Sequence, residues 1–236
     1  MTTHELIASR LAALRAYMAS HALDALIIPH DDEHLGEYLP AEAERLAWAT
    51  GFTGSAGLAI LFADSATLFV DGRYTVQARQ QAPAELFHYQ HLVDQPHLEW
   101  LQGQLDRRQK VGFDPRLHSL TWYQKASAIL AQKEISLVCL EQNPIDQLWQ
   151  DRPAPSKAEM MIYSEQFSGQ SSLAKREAIA SKLRQQGLDA ALLSQSESIN
   201  WLLNIRGRDI PCFPVVLCFA VIYSNTGIKL FRFFYN

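Results

Sequence analysis

The chain carries one pattern of residues twice, and this duplication constrains its fold more than any other feature. The run LDALII at positions 23–28 is matched by LDAALL at 188–193, and an amphipathic helical stretch precedes each run. Each run is then followed, at identical intervals, by a glutamate, an aliphatic residue, a tryptophan, a second apolar residue and a glycine. The first set is Glu44, Leu46, Trp48, Phe52 and Gly54, and the second is Glu197, Ile199, Trp201, Ile205 and Gly207. Such self-similarity indicates duplicated architecture, so we expect two domains of one design.

The two copies differ in length. An apolar hairpin follows each copy, with LF at positions 68–69 matched by LF at 230–231, but only the first copy continues through further regular patterns. The sequence RPAPS at 152–156 then favours a stiff linker, because its prolines disrupt both helix and strand. We predict a first domain at 1–152, a linker at 153–160 and an incomplete second domain at 161–236.

Helical and strand-like patterns alternate within the first copy. The helical patterns cover residues 74–81, 97–105 and 120–132, and the strand-like runs cover 23–29, 58–62, 66–70, 85–89, 110–113 and 135–140. This alternation predicts an α/β fold with helices flanking a mixed sheet. A shorter second copy leaves its sheet with an uncovered face or an open edge, and homodimerisation through that region is one way to cover it.

Composition excludes several functional classes. The chain is 48% hydrophobic and 19% charged with a net charge of -4, and its basic residues are scattered, so we expect no nucleic-acid partner. No 18-residue apolar run and no signal-peptide pattern occurs, which predicts a cytoplasmic protein without a membrane partner. Cys139, Cys212 and Cys218 lie in apolar runs typical of buried thiols, so neither a disulfide framework nor a zinc site is expected.

Six motifs, taken together, resemble the Xaa-Pro aminopeptidase (aminopeptidase P) family. They are EYLP at 37–40, RLAWATGFTGSAG at 45–57, DGRY at 71–74, VGFDP at 111–115, DQLWQDRP at 146–153 and WLLNIRGRDIP at 201–211. Each motif is weak alone, but together they stand in family order with family-like spacing. The chain is similar to the long, three-domain branch of this family.

The resemblance implies two creatinase N-terminal-type domains, which are ribonuclease H-like, followed by a pita-bread catalytic domain. In the family that third domain holds two divalent metals, usually manganese, with Asp, His and Glu ligands, and hydrolyses the bond before a penultimate proline. None of those ligand motifs can be placed in this sequence. The implied partners are the chain's own catalytic domain, a second copy in a homodimer, and proline-containing peptides as substrates of the whole enzyme.

Three residues are candidate secondary substrate contacts. Related enzymes bring the loop at 51–57 toward the mouth of an active site, which implicates Phe52 and Ser55. The alternative is that the loop glycines serve only close packing. The fork of Arg73 could hold a substrate carboxylate or carbonyl, or it could instead form an internal pair with Asp71.

Four residues are structural candidates, and one run is a candidate metal site. Trp48 and Trp201 are expected to be buried anchors beneath their hairpins, with Gly54 and Gly207 in the adjoining loops. The run HDDEH at 30–34 is rich in metal-capable side chains, but it reads as a solvated loop after the first strand, so no metal site is expected.

The sequence therefore favours a non-catalytic N-terminal part of a metallopeptidase, a hydrolase whose own chemistry lies elsewhere. The alternative from a different class is a stand-alone module that binds a small molecule or a protein. A serine hydrolase is disfavoured, because no Gly-x-Ser-x-Gly elbow occurs and no nucleophile and base can be paired.

Overall fold

The computed structural model describes residues 2–232. The chain divides between Arg152 and Pro153 into two compact units, here called unit 1 and unit 2. Both units combine helices with mixed or antiparallel sheets, so the predicted α/β class is confirmed. No helix within residues 2–232 is long and apolar enough to cross a bilayer.

Unit 1 contains one six-stranded sheet with helices on both faces. Its helices are α1 (Thr3–Ser20), α2 (Arg45–Thr50), α3 (Thr75–Gln81), α4 (His97–Gln104), α5 (Leu120–Ala131) and α6 (Pro144–Leu148). Its strands are β1 (Ala25–Pro29), β2 (Gly57–Phe62), β3 (Ala66–Val70), β4 (His88–His91), β5 (Lys110–Phe113) and β6 (Ser136–Cys139). The strand order is β4-β3-β2-β1-β5-β6.

The central strand β1 lies where the direction of the sheet changes. It pairs antiparallel with β2 on one side and parallel with β5 on the other. All five of its residues are buried, because helices cover both faces of the sheet. In open α/β sheets, the crevice beside the carboxyl end of such a strand is the usual place for a ligand.

Helix α1 forms for the reasons that its sequence predicts. The Thr2 hydroxyl accepts a hydrogen bond from the Glu5 amide at 3.2 Å, and the Glu5 carboxylate accepts one from the Thr2 amide at 2.7 Å. This capping box satisfies two amides at the helix start. Four apolar side chains at helical spacing are buried against the sheet, and each contributes about 1.5–3 kcal/mol to the stability of the fold. They are Ile7, Leu11, Leu14 and Met18.

Unit 2 has fewer strands than unit 1 within the described residues. Its elements are β7 (Met161–Ile162), α7 (Glu165–Ser168), α8 (Ser172–Gln185), β8 (Ala190–Leu193), α9 (Ser196–Leu203), β9 (Ile205–Arg206), β10 (Phe219–Tyr223) and β11 (Ile228–Phe231). Its main sheet has three strands in the order β11-β10-β8, and β7 pairs with β9. Helix α8 is capped by Ser171, whose hydroxyl accepts a hydrogen bond from the Ala174 amide.

Strand registers show that the duplication is structural. In unit 1, Ala59 of β2 stands opposite Ile28 of β1 and Leu68 of β3. In unit 2, Ala220 of β10 stands opposite Leu193 of β8 and Leu230 of β11. The two antiparallel three-strand sets therefore share one register, with β8, β10 and β11 equivalent to β1, β2 and β3.

A second shared feature links the first helix of each unit to its tryptophan. Arg10 donates from Nη1 to the Trp48 carbonyl at 2.9 Å, and its guanidinium carbon lies 4.8 Å from the centroid of that ring. Lys175, at the equivalent helix position, donates to the Trp201 carbonyl at 2.8 Å and lies 4.3 Å from the Trp201 ring. Each cation thus binds the last turn of a helix, where the helix dipole favours positive charge, and also the face of an aromatic ring.

The expectation that both tryptophans are buried anchors is wrong for Trp201. Trp48 is 7% exposed, whereas Trp201 is 54% exposed. Trp149, which follows α6, lies beside Trp48 with ring centroids 6.1 Å apart. The described part of unit 2 contains no counterpart of α6, so one side of Trp201 stays open.

Candidate functional site

Three loops of unit 1 meet at one end of the sheet. The loop at 30–37 follows β1, the loop at 51–57 precedes β2, and the turn at 71–74 follows β3. The His30 amide donates to the Gly57 carbonyl at 3.0 Å, and Gly57 stands opposite Val70 in the β2–β3 pair. These loops form the candidate site, at the carboxyl end of the central strand.

The loop at 51–57 is shaped by close contacts of its glycines. Gly51 adopts φ +80° and ends α2, a conformation that glycine adopts without steric cost. A Cβ added to Gly54 would lie 2.3 Å from the Phe52 ring and 2.8 Å from the Tyr74 ring. The loop therefore packs against its own aromatic neighbours with no space for another side chain.

Two backbone amides of this loop donate to side chains of unit 1. The Phe52 amide donates to the Thr50 hydroxyl, and the Thr53 amide donates to the Gln81 side chain, each at 3.0 Å. Gln77 donates to the Thr53 hydroxyl and ties the loop to α3. These contacts fix the loop in place and favour the packing interpretation of its glycines.

Tyr74 brings the three predicted contact residues together. Its hydroxyl lies 2.8 Å from the Ser55 hydroxyl, and its ring meets the Phe52 ring edge-on with centroids 5.7 Å apart. The Arg73 guanidinium carbon lies 5.2 Å from the Tyr74 ring centroid. The sequence alone indicates no role for Tyr74 of the DGRY motif, since only the structure places it against all three residues.

The internal pair between Arg73 and Asp71 exists. Arg73 donates from Nε and Nη2 to Asp71 Oδ2 at 3.0 and 2.7 Å, and its amide donates to Asp71 Oδ1 at 2.9 Å. Hydrogen bonds from Arg73 hold the pKa of Asp71 below its ordinary value. The Arg73 side chain is still 63% exposed, and within residues 2–232 its Nη1 makes no hydrogen bond. Arg73 can therefore bind Asp71 and a ligand at the same time.

Phe52 cannot serve as a direct contact in this conformation. The residue is 1% exposed, and its ring is enclosed within the core of unit 1. It supports the loop from beneath, while Ser55 and Arg73 remain accessible above it. The expected contact set is corrected accordingly, and Phe52 becomes a support.

The run at 30–34 forms a partly buried acidic loop. Burial raises the pKa of Asp31 to about 7, and repulsion from Asp32 contributes. Asp32 accepts hydrogen bonds from the amides of His34 and Gly36 at 2.9 and 3.1 Å, which orders the turn. No group of three or more His, Cys, Asp or Glu side chains within residues 2–232 is placed to hold a metal ion.

Arg45 is a buried charge that sequence reasoning missed. It is 1% exposed and donates to both oxygens of Asp146, at 2.7 and 3.1 Å, and to Glu33 at 3.0 Å. Burial alone lowers the pKa of Arg45, but the hydrogen bonds and charges of Asp146 and Glu33 outweigh it, and the net shift is upward. Arg45 thus joins the loop after β1 to α6, which comes about a hundred residues later in the chain.

Comparison with known proteins agrees with this architecture. The sequence profile of the creatinase/prolidase N-terminal domain matches residues 10–146, and a second profile of the same description matches residues 151–233. The chain belongs to the creatinase/prolidase N-terminal domain family. The two matched segments correspond to the two units of this family member.

Its relatives confirm the resemblance to Xaa-Pro aminopeptidases. Aminopeptidase P1 of Lotus japonicus is 36% identical over 220 residues, which are 92% of this chain and 33% of the relative. Aminopeptidase P1 of Arabidopsis thaliana is 33% identical over 220 residues, 92% of this chain and 34% of the relative. The chain also superposes on the X-prolyl aminopeptidase of Caenorhabditis elegans, which is described as a cytosolic enzyme with a di-nuclear active site. The TM-score is 0.89 at 29% sequence identity, and the match covers 99% of this chain and 39% of that one.

The chain spans about a third of the length of the curated relatives that it matches. Residues 2–232 do not fit a pair of divalent metals, because they contain no cluster of suitable ligands.

Proposed function

We propose that this chain is the non-catalytic N-terminal part of an Xaa-Pro aminopeptidase, and that unit 1 shapes the access of peptides to a metal centre held elsewhere in the enzyme. The observation that carries the proposal is the open donor of Arg73 beside the Ser55–Tyr74 hydroxyl pair, on loops at the carboxyl end of β1. Charged and hydroxyl donors of this kind suit the carbonyl and carboxylate oxygens of a short peptide.

The rest of the proposal concerns the whole enzyme. It releases the N-terminal residue before a penultimate proline, and its two metals, which we expect to be manganese, activate the water for that hydrolysis when bound. Its partners are the catalytic domain and a second copy of the enzyme. We place it in the cytoplasm, supported by the relative from C. elegans that is described as cytosolic.

The proposal is tested in a grafted enzyme in which this chain replaces the matched 220 residues of the Lotus japonicus relative. With Mn²⁺ and peptides that begin Arg-Pro, Arg73→Met is expected to raise KM about tenfold while kcat stays within about twofold, because a uniform binding contact is lost. Arg107→Met is the matched control, since Arg107 is 69% exposed and also pairs with a carboxylate, that of Glu134.

A second variant separates ligand binding from the internal pair. Asp71→Asn weakens the Asp71–Arg73 pair but keeps the Arg73 cation, so its KM is expected to stay near that of the parent. An unchanged KM in Arg73→Met, or an equal rise in both variants, would contradict a contact role for Arg73.

A further inference from the structure

A small cavity of unit 1 lies beside β1, close to the carboxyl end of that strand. It is lined by Leu26, Ile27 and Ile28 of β1, by residues that follow β5 and β6, and by the first turn of α6. Its volume is about 10 Å³, which is close to the space that the centre of one water molecule requires. The crevice that open α/β sheets offer to a ligand at this place therefore has room here for one very small molecule.

Three buried polar side chains also line this cavity. They are Arg45 of α2, Asp114 after β5 and Asn143 at the start of α6, and their exposed fractions are 1%, 2% and 5%. Buried polar groups in native proteins are nearly always hydrogen-bonded, either to the protein or to ordered water. Cavities that stay empty are apolar, so a cavity lined by these three residues is expected to be filled.

Arg45 has one nitrogen that the protein does not use. Its Nε and Nη2 donate to Asp146 and Glu33, whereas its Nη1 is buried and makes no hydrogen bond within residues 2–232. Of these three residues, Arg45 lines the cavity and the two carboxylates do not. The carboxylate-bound edge of the guanidinium therefore faces away from the cavity, and the Nη1 side faces it. Because a buried charged donor without an acceptor is costly, we expect an acceptor in the cavity.

Asn143 and Asp114 provide the opposite kind of group. Asn143 Nδ2 donates to Asp114 Oδ2 at 3.0 Å, and Asn143 Oδ1 accepts from the Ile145 amide at 2.9 Å. The Asn143 carboxamide keeps one further lone pair on its oxygen. Burial alone raises the pKa of Asp114, but hydrogen bonds from Arg116 and Asn143 outweigh it, and the net shift is downward. Asp114 is therefore a charged carboxylate at neutral pH.

We propose that this cavity binds one ordered water molecule, which accepts a hydrogen bond from Arg45 Nη1 and donates one to Asn143 Oδ1. A small anion fits less well, because the Asp114 carboxylate also lines the cavity, and a small cation is repelled by the Arg45 guanidinium. Water matches the lining because it both donates and accepts hydrogen bonds.

The bound water would join two buried polar networks of unit 1. Arg45 connects α2 to α6 and to Glu33 in the loop at 30–37, whereas the Asp114–Asn143 pair connects the end of β5 to the start of α6. A water between Arg45 and Asn143 makes these networks continuous, so the loop after β1 is held through the water as well as through Glu33. Such bridging waters contribute to a structure much as a direct hydrogen bond does.

Nuclear Overhauser effects between water and methyl groups test the proposal in solution, on the unmodified chain with labelled methyl groups. Methyl protons do not exchange with solvent, so such an effect at a buried methyl group reports a bound water. We expect it at Leu117 and Ile145, which line the cavity and are 1% and 2% exposed. Leu101 and Leu130 are the matched controls, since both are 0% exposed and belong to a core cluster away from the cavity. No effect at Leu117 and Ile145, or equal effects at all four residues, would overturn the proposal.

A crystal structure of the same chain identifies the occupant. We expect one density peak about 2.7–3.2 Å from Arg45 Nη1, unchanged after the crystals are soaked in bromide. An anomalous bromide signal at this peak would show an anion site, and a cavity without density would show that no water binds, so either result would overturn the proposal. Neither readout uses a substrate, and the result is therefore independent of the proposed function.

Discussion

Replacing Arg45 with methionine is expected to lower the free energy of unfolding of unit 1 by about 3–5 kcal/mol. Methionine keeps most of the side-chain length but removes the guanidinium, which leaves Asp146 and Glu33 without their shared partner in a largely buried setting. Arg152 also pairs with Asp146 at 3.0 Å, and this remaining ion pair offsets only part of the lost stability.

Urea unfolding of the parent and of the Arg45→Met variant, followed by circular dichroism, measures this effect. Arg107→Met is the matched control, because its ion pair with Glu134 is exposed on both sides and should contribute less than about 1 kcal/mol. A loss for Arg45→Met no larger than that of the control would contradict the structural role given to the buried ion pair.

Replacing Gly54 with alanine is expected to destabilise unit 1 by about 2–3 kcal/mol. The new methyl group would lie 2.3 Å from the Phe52 ring and 2.8 Å from the Tyr74 ring, and Phe52 is enclosed in the core of unit 1. The loop must therefore shift, and the Ser55–Tyr74 hydroxyl pair shifts with it.

Gly103→Ala supplies the control with the opposite sign. Gly103 lies in α4 with no atom within 4 Å of an added Cβ, so alanine there should stabilise the helix by about 0.5–1 kcal/mol. Thermal unfolding of both variants should give Tm shifts in opposite directions. Similar shifts of one sign would show that the packing around Gly54 is not as tight as the structure indicates.

The features that could be predicted are those encoded locally or by repetition. The capping box of α1, the N-cap of α8 and the apolar runs that became β1, β2 and β3 each depend on neighbours in the sequence. The duplication predicted the equivalence of the two units, and the strand registers confirm it. Residues repeated at the same intervals indicate the same backbone fold, so the equivalence of the two units could be inferred without a structure.

The features that sequence reasoning missed depend on contacts distant in the chain. Arg45 meets Asp146 across 101 positions, and no local pattern marks that pair. Trp201 has the same sequence setting as Trp48, but its burial depends on elements that unit 2 lacks within the described residues. Cys139 is exposed although its run is apolar, because it is the last residue of β6, which is an edge strand of the sheet.

We propose that these 236 residues shape substrate access but do not hydrolyse peptides themselves. The most direct test incubates the purified chain with Mn²⁺ and a peptide that begins with arginine followed by proline, and measures free arginine by mass spectrometry. Our account predicts no release above that of a metal-only blank. Sustained release that scales with the concentration of the chain would contradict it.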